Sequence, residues 1–211
     1  MKIIGLYSGK LSNIGDKRSP TGIYKQSVEH VSVDELGIKG DIQADKRFHG
    51  GLEKALHQYS LNSYEKIIKR YPLLHKKAKP GMIGENLSAT DMCEHNVCIG
   101  DIYKVGSSIL QVGSPRIPCW KIDAKFKQPD LNQFISQHRL NGWYYRVLQP
   151  GDINLNDECL LQQRLNTHVT VDTMLSVIHG KADIQTVELA TNAIGLDPEW
   201  QKRLQNKYQL S

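Results

Sequence analysis

The feature that most constrains this chain is a succession of short segments in which apolar residues recur at every second position. They fill roughly the first 160 residues, and most end at glycine or at a polar turn. "MKIIGLYSG" and "QSVEHVSVDELG" both follow this pattern. "NVCIGDIYKVGSSILQVGS" reads as two strands joined at Gly106-Ser107-Ser108, and "GWYYRVLQPGDINLNDECLLQQR" as another pair turned around Pro150-Gly151-Asp152. A period of two gives each strand one apolar face, and many short strands satisfy those faces together in a barrel or closed sandwich. Helices interrupt the series. Asn62 with Glu65 three residues on spells a capping box for a helix through "SYEKIIKRY", which Pro72 ends. In "DLNQFISQHR", Leu131, Phe134 and Ile135 share one face behind Asp130 as a cap.

Near residue 165 the period changes. "HVTVDTMLSVIHG", "DIQTVELATNAIG" and "DPEWQKRLQNKY" are three helix-length pieces, with Asp183 and Asp197 at cap positions. Val171, Met174, Leu175 and Ile178 fall on one helical face, and Val187, Leu189 and Ala190 on another. Residues 1–164 therefore read as a mainly β domain and residues 165–211 as a small three-helix extension. The extension has no titratable cluster, so docking suits it better than catalysis.

No window approaches the roughly 18–20 apolar residues of a membrane span, and the apolar run at the start is too short for a signal peptide. Four cysteines between positions 93 and 159 form no disulfide framework, which points to a reducing cytoplasm. The net charge of +5, without a long basic run or a stacking motif, speaks against nucleic acid. Lys10, Lys17, Arg18 and Lys25 do cluster, opposed only by Asp16. This is either a solvated loop or a clamp for a small phosphorylated ligand.

Three stretches carry chemistry. In "GSPRIPCWK" two prolines restrict the backbone before Cys119, while Arg116 and Lys121 flank it; nearby cations favour the thiolate, the form that attacks carbon or binds metal. "GDIQADKRFHGGLEKALHQY" sets glycines around Asp41, Asp45 and His49, and the Gly50-Gly51 pair allows close backbone approach to a ligand. "GENLSAT" offers Asn86 and Ser88 as donors and acceptors. "CEHNVC" lacks the second ligand pair of a zinc site, and Cys98 falls within a strand pattern.

"GDIQADKRFHGG", "GENLS", "GDIY" and "SPRIPCWK" together resemble the motifs of MOSC proteins, the molybdenum-cofactor sulfurase C-terminal superfamily, most of all its YiiM-type group. The resemblance covers roughly residues 1–160, and the tail is similar to the three-helix extension of that group. It implies a MOSC-type β-barrel with flanking helices and bound molybdenum cofactor (molybdopterin), with Cys119 as the thiolate ligand to the metal. Lys17, Arg18 and Lys25 are then implied to meet the cofactor phosphate or the substrate side of the metal. His49, Gly50, Asn86, Ser88 and Arg116 are implied as cofactor contacts.

The same resemblance implies reduction of N-hydroxylated compounds, including N-hydroxylated nucleobases such as 6-hydroxylaminopurine, by oxygen-atom removal, with Lys25 or Arg18 steadying the oxygen. No iron–sulfur spacing and no dinucleotide fingerprint is present, so the electrons are expected from a separate reductase. The alternatives are a non-catalytic cofactor carrier and a sulfur-handling protein with a persulfide on Cys119. A nucleic-acid-binding barrel ranks last.

Overall fold

A computed structural model describes residues 1–44 and 50–210. Asp45 and His49 lie outside the described residues. The alternating segments are strands: β1 (Ile3–Gly9), β2 (Ser12–Ile14), β3 (Ser19–Thr21), β4 (Lys25–Val28), β5 (His30–Asp34), β6 (Gly37–Ile38), β7 (Leu56–Gln58), β8 (Leu87–Ala89), β9 (Ile102–Val105), β10 (Ser108–Pro115), β11 (Trp143–Gln149), β12 (Gly151–Asn154) and β13 (Cys159–Gln163). Helices α1 (Leu61–Arg70), α2 (Lys121–Phe126) and α3 (Leu131–Gln137) interrupt them, and α4 (Val171–Ile178), α5 (Ile184–Thr191) and α6 (Pro198–Tyr208) follow.

Eight strands form one sheet in the order β13-β9-β10-β11-β7-β8-β1-β4, antiparallel except for the β7–β8 pair. The ladders leave this sheet open. Its β13 end meets the start of β1 at a single bridge, Lys2 to Glu158. The fold is thus sheet-dominated with flanking helices, and closure into a barrel is not drawn by its ladders. β12, β5 and β6 make a second sheet, and β2 and β3 a hairpin.

The Gly106–Ser108 hairpin is present as expected, with β9 and β10 paired from Val105↔Ser108 to Ile102↔Gln111. The expected pair in residues 143–163 is instead three strands. β11 joins β10 and β7, β12 crosses to β5, and β13 joins β9, so Pro150 separates partners rather than turning one strand onto the next. Asn62 is not the cap of α1. The chain enters the helix two residues earlier, from an extended Ser60, which brings Ser63, Tyr64 and Ile67 onto the buried face. Asp130 stands at the start of α3 without a capping bond. Asp183 and Asp197 do cap α5 and α6, accepting from the Thr186 and Glu199 amides at 2.8 Å.

Two apolar clusters hold these elements. The first joins the sheet (Leu6, Leu56, Val112, Trp143, Tyr145) to the terminal helices through Val171, Met174, Leu175, Val187 and Leu204. Leu189, expected on the buried face of α5, is 58% exposed, because the helix turns Val187, Ala190 and Thr191 inward. The second cluster packs Tyr64 and Ile67 of α1 with Ile122 and Phe126 of α2 and with Leu131 and Ile135 of α3. It lies beneath the end of the sheet where the chemistry-bearing residues meet.

Candidate active site

Six adjacent strands deliver side chains or backbone to one end of the main sheet. Arg116 follows the last residue of β10, Tyr144 is the second residue of β11 and lies opposite Ser114, and His57 of β7 pairs with Tyr144. Asn86 directly precedes β8, and Gly9 at the end of β1 pairs with Lys25 at the start of β4. The strands therefore converge on a cleft, partly open to solvent, whose walls include Thr21–Ile23, residues 41–44, Ile83 and Gly84. Gly22 is required here: a β-carbon on it would lie 2.1 Å from the Ile42 carbonyl oxygen of the facing wall. Such concave sites with a few convergent polar groups are where small molecules bind.

The proline-framed stretch is held firmly. Pro115 closes the β10 ladder against Trp143. The Arg116 amide donates to the Gly142 carbonyl at 3.1 Å, and its own carbonyl accepts from Asn141 Nδ2 at 2.8 Å. Cys119 then leads into α2, its carbonyl accepting the Ile122 amide at 3.0 Å. The thiol is half-buried, outside any disulfide, and lines the cleft. Exposed Ile117 and Trp120 flank it.

Around the thiol the lining cations are Lys25, Lys54, Arg116 and Lys121, against Asp41 as the one lining carboxylate among the described residues. Lys25 is spoken for: its ammonium lies 2.5 Å and 2.6 Å from the two oxygens of Asp41, with both side chains nearly buried. Burial lowers the Lys25 pKa, and Asp41 opposes the fall. Asp41 also accepts from the Gly9 amide and from Asn86 Nδ2. Asn86 in turn donates to the Tyr7 carbonyl and accepts the His57 amide, so its side chain organises the wall. Lys54 reaches Glu199 at 3.1 Å and Asp197 at 3.9 Å, tying the rim to the start of α6. Lys121 donates to the Pro20 carbonyl.

Arg116 has no such counter-charge. It is 5% exposed and makes no ion pair among the described residues; the Tyr144 side chain shares a hydrogen bond with it, but its Nη1 has no hydrogen-bond partner. A buried guanidinium left this way is costly unless an anion completes it. A half-exposed thiol, soft enough for a transition metal, shares its cleft. The donor set therefore fits an anionic group that carries a metal.

Of the residues expected from the sequence, Lys25, Asn86, Arg116 and Cys119 line the cleft together. Lys17 and Arg18 sit exposed on the β2–β3 turn, outside the lining. Gly50 also lies outside it. Ser88 is buried within β8, outside the lining. Lys54, His57 and Tyr144 are lining residues that the motifs did not single out. Behind the wall, Lys125 donates to the Ile23 carbonyl at 2.8 Å. Burial pushes its pKa down to about 8, with Glu85 opposing and Lys25 and Arg116 adding to the fall.

A sheet-dominated fold with a thiol and a buried guanidinium at one end defines a small-molecule site of acquisitive, anion-seeking character. The model of the MOSC domain matches residues 45–159, more than half of the chain, and the protein belongs to the MOSC domain family. It is 29% identical to "Protein YiiM" of Escherichia coli over 205 residues, 97% of this chain and 91% of that one. The crystal structure of YiiM from Escherichia coli superposes with a TM-score of 0.81 at 26% identity, covering 99% of this chain and 93% of that chain. A protein of Gibberella moniliformis named "Reductase" is 38% identical over 146 residues, which are 68% of this chain and 26% of that longer one.

Proposed function

We propose that this protein binds the molybdenum cofactor in the cleft through Cys119 and reduces N-hydroxylated compounds with electrons from a separate reductase. The observation that carries the reading is the pairing of a half-exposed free thiol with a buried guanidinium that has no anion among the described residues, in a chain of the MOSC family. The relative named "Reductase" adds support for redox chemistry. When bound, the cofactor supplies the acceptor for oxygen and the two-electron couple. The net change is R–NHOH plus two electrons and two protons to R–NH₂ plus water.

The chain's own residues provide position and charge. Cys119 Sγ is the metal ligand, aimed by the Arg116 anchors and Pro118. The Arg116 guanidinium takes the anionic part of the cofactor, with Lys54 and Lys121 at the rim. Lys25, kept charged by Asp41 in a site that favours its neutral form, steadies negative charge on the departing oxygen. The substrate class is planar N-hydroxylated bases such as 6-hydroxylaminopurine, and the setting is the reducing cytoplasm, where Cys119 stays a thiol. No helix among the described residues is long and apolar enough to cross a membrane.

The test is turnover of 6-hydroxylaminopurine by cofactor-loaded protein with reduced methyl viologen as donor, followed by chromatography of adenine. Adenine formation that stops in Cys119→Ala supports the reading. Loaded protein that forms no adenine overturns it.

A further inference from the structure

Residues 66–79 carry Lys66, Lys69, Arg70, Lys76, Lys77 and Lys79 and no acidic residue. In sequence these cations are interleaved with apolar residues. In the fold, Ile67, Leu74 and Ala78 turn inward while all six cations are exposed. None of the six makes an ion pair among the described residues. Surfaces normally mix the two signs, so a one-sign patch of this kind creates a directed field. At its centre the turn Pro72–Leu74 presents Leu73 at 92% exposure, while the adjacent Leu74 is 5% exposed. An apolar side chain ringed by charges has the make-up of an interface anchor with its polar rim.

The patch adjoins the cleft by two routes. Lys77 Nζ reaches the Phe126 carbonyl at 3.4 Å, at the far end of the helix that Cys119 leads into, and exposed Lys127 follows there. At 1.5 Å rise per residue, the seven steps from residue 119 to residue 126 span about 10 Å. Along the chain, Lys79 is followed four residues later by Ile83 of the cleft wall, a reach of at most about 14 Å.

We propose that this surface docks an acidic electron-carrier flavoprotein, which gives up two electrons per turnover to the site proposed above. The inference rests on that redox reading for its purpose, and on charge and geometry for its place. Charge complementarity of this kind steers encounter and speeds association. A polyphosphate backbone has no use for Leu73, and no exposed aromatic ring stands among the cations for a base to stack on; Tyr71 is half-buried beneath Arg70.

The probe is an acidic flavodoxin, and the variant is the triple Lys69→Glu, Leu73→Ser, Lys76→Glu. Zero-length carbodiimide cross-linking, read by mass spectrometry, reports docking whether or not cofactor is loaded. Cross-links concentrated at Lys66–Lys79 and lost in 0.5 M salt, roughly a 4 Å screening length, are expected. With loaded protein, flavodoxin-driven turnover is expected to fall about tenfold or more in the variant, while viologen-driven turnover stays unchanged. Cross-links that map elsewhere, or equal flavodoxin-driven rates, overturn the proposal. So does binding to duplex DNA or phosphatidylglycerol vesicles without binding to flavodoxin. Absent viologen turnover with cross-links intact refutes the redox reading and leaves the docking surface standing.

Discussion

Replacing Asp41 by asparagine tests whether the Lys25–Asp41 pair holds the cleft wall together. The two side chains are 6% and 3% exposed, so Asp41→Asn leaves a nearly buried ammonium without its counter-charge. Breaking a buried pair by removing one partner costs about 3–5 kcal/mol. For a chain of this size each kcal/mol lowers Tm by about 2–4 °C, giving an expected fall of about 6–20 °C. The pH dependence has a definite sign. Between the lowered pKa of Lys25 and its ordinary value of 10.5, the unfolded chain binds more protons than the native one, so this residue's contribution makes stability rise with pH. Asp41→Asn removes the attraction that opposes burial, lowers the Lys25 pKa further and extends that rise to lower pH. Adding Lys25→Met removes the stranded charge, and the double variant is expected to regain more than half of the loss. Differential scanning calorimetry from pH 6 to pH 10 measures all three proteins. A loss of less than about 2 °C in Asp41→Asn, or a double variant no more stable than the single one, would refute the reasoning.

Arg116→Met removes a buried cation that has no counter-charge among the described residues, so it is expected to leave Tm unchanged or raise it while cutting retained molybdenum by about tenfold or more. Thermal melts and elemental analysis of the same samples check this, and a destabilised variant with full metal would contradict it. Lys125 is expected to titrate near pH 8 by side-chain nitrogen NMR. Its contribution makes native stability rise as pH goes from about 8 towards 10.5, and Lys125→Met flattens that limb of the pH profile. Ending the chain after residue 164 removes Val171, Met174, Leu175 and Val187 from the cluster they share with the sheet. The expected product is insoluble or lacks near-ultraviolet circular dichroism; a folded, cofactor-retaining fragment would show that the sheet closes its core unaided.

What the sequence disclosed follows the range of the interactions involved. The period of two located β1, β5, β9 and β10, and the helical faces of α3 and α4 came from local spacing, because each element buries its own stripe. The sheet order did not emerge, since Gly9↔Lys25, the parallel Gln58↔Leu87 contact and the β12–β5 pairing join residues whose neighbours in sequence say nothing of each other. The same division runs through the site. Cys119 and Arg116 were legible because prolines and cations surround them in one stretch. His57 and Tyr144 came together only through strand register. The cluster Lys10, Lys17, Arg18 and Lys25 was misleading as a unit: a turn at residues 15–18 sends two of its members to solvent while β4 carries Lys25 inward. The cations of residues 66–79 lie together in sequence, but only the fold shows that all six are exposed and that Leu73 stands exposed among them.

The most direct test of the central claim is molybdenum content, by elemental mass spectrometry, of wild type and Cys119→Ala purified from a host that makes the cofactor. Near-stoichiometric metal in the wild type and almost none in the variant is the predicted result. Equal metal in both proteins, or none in either despite available cofactor, would contradict it.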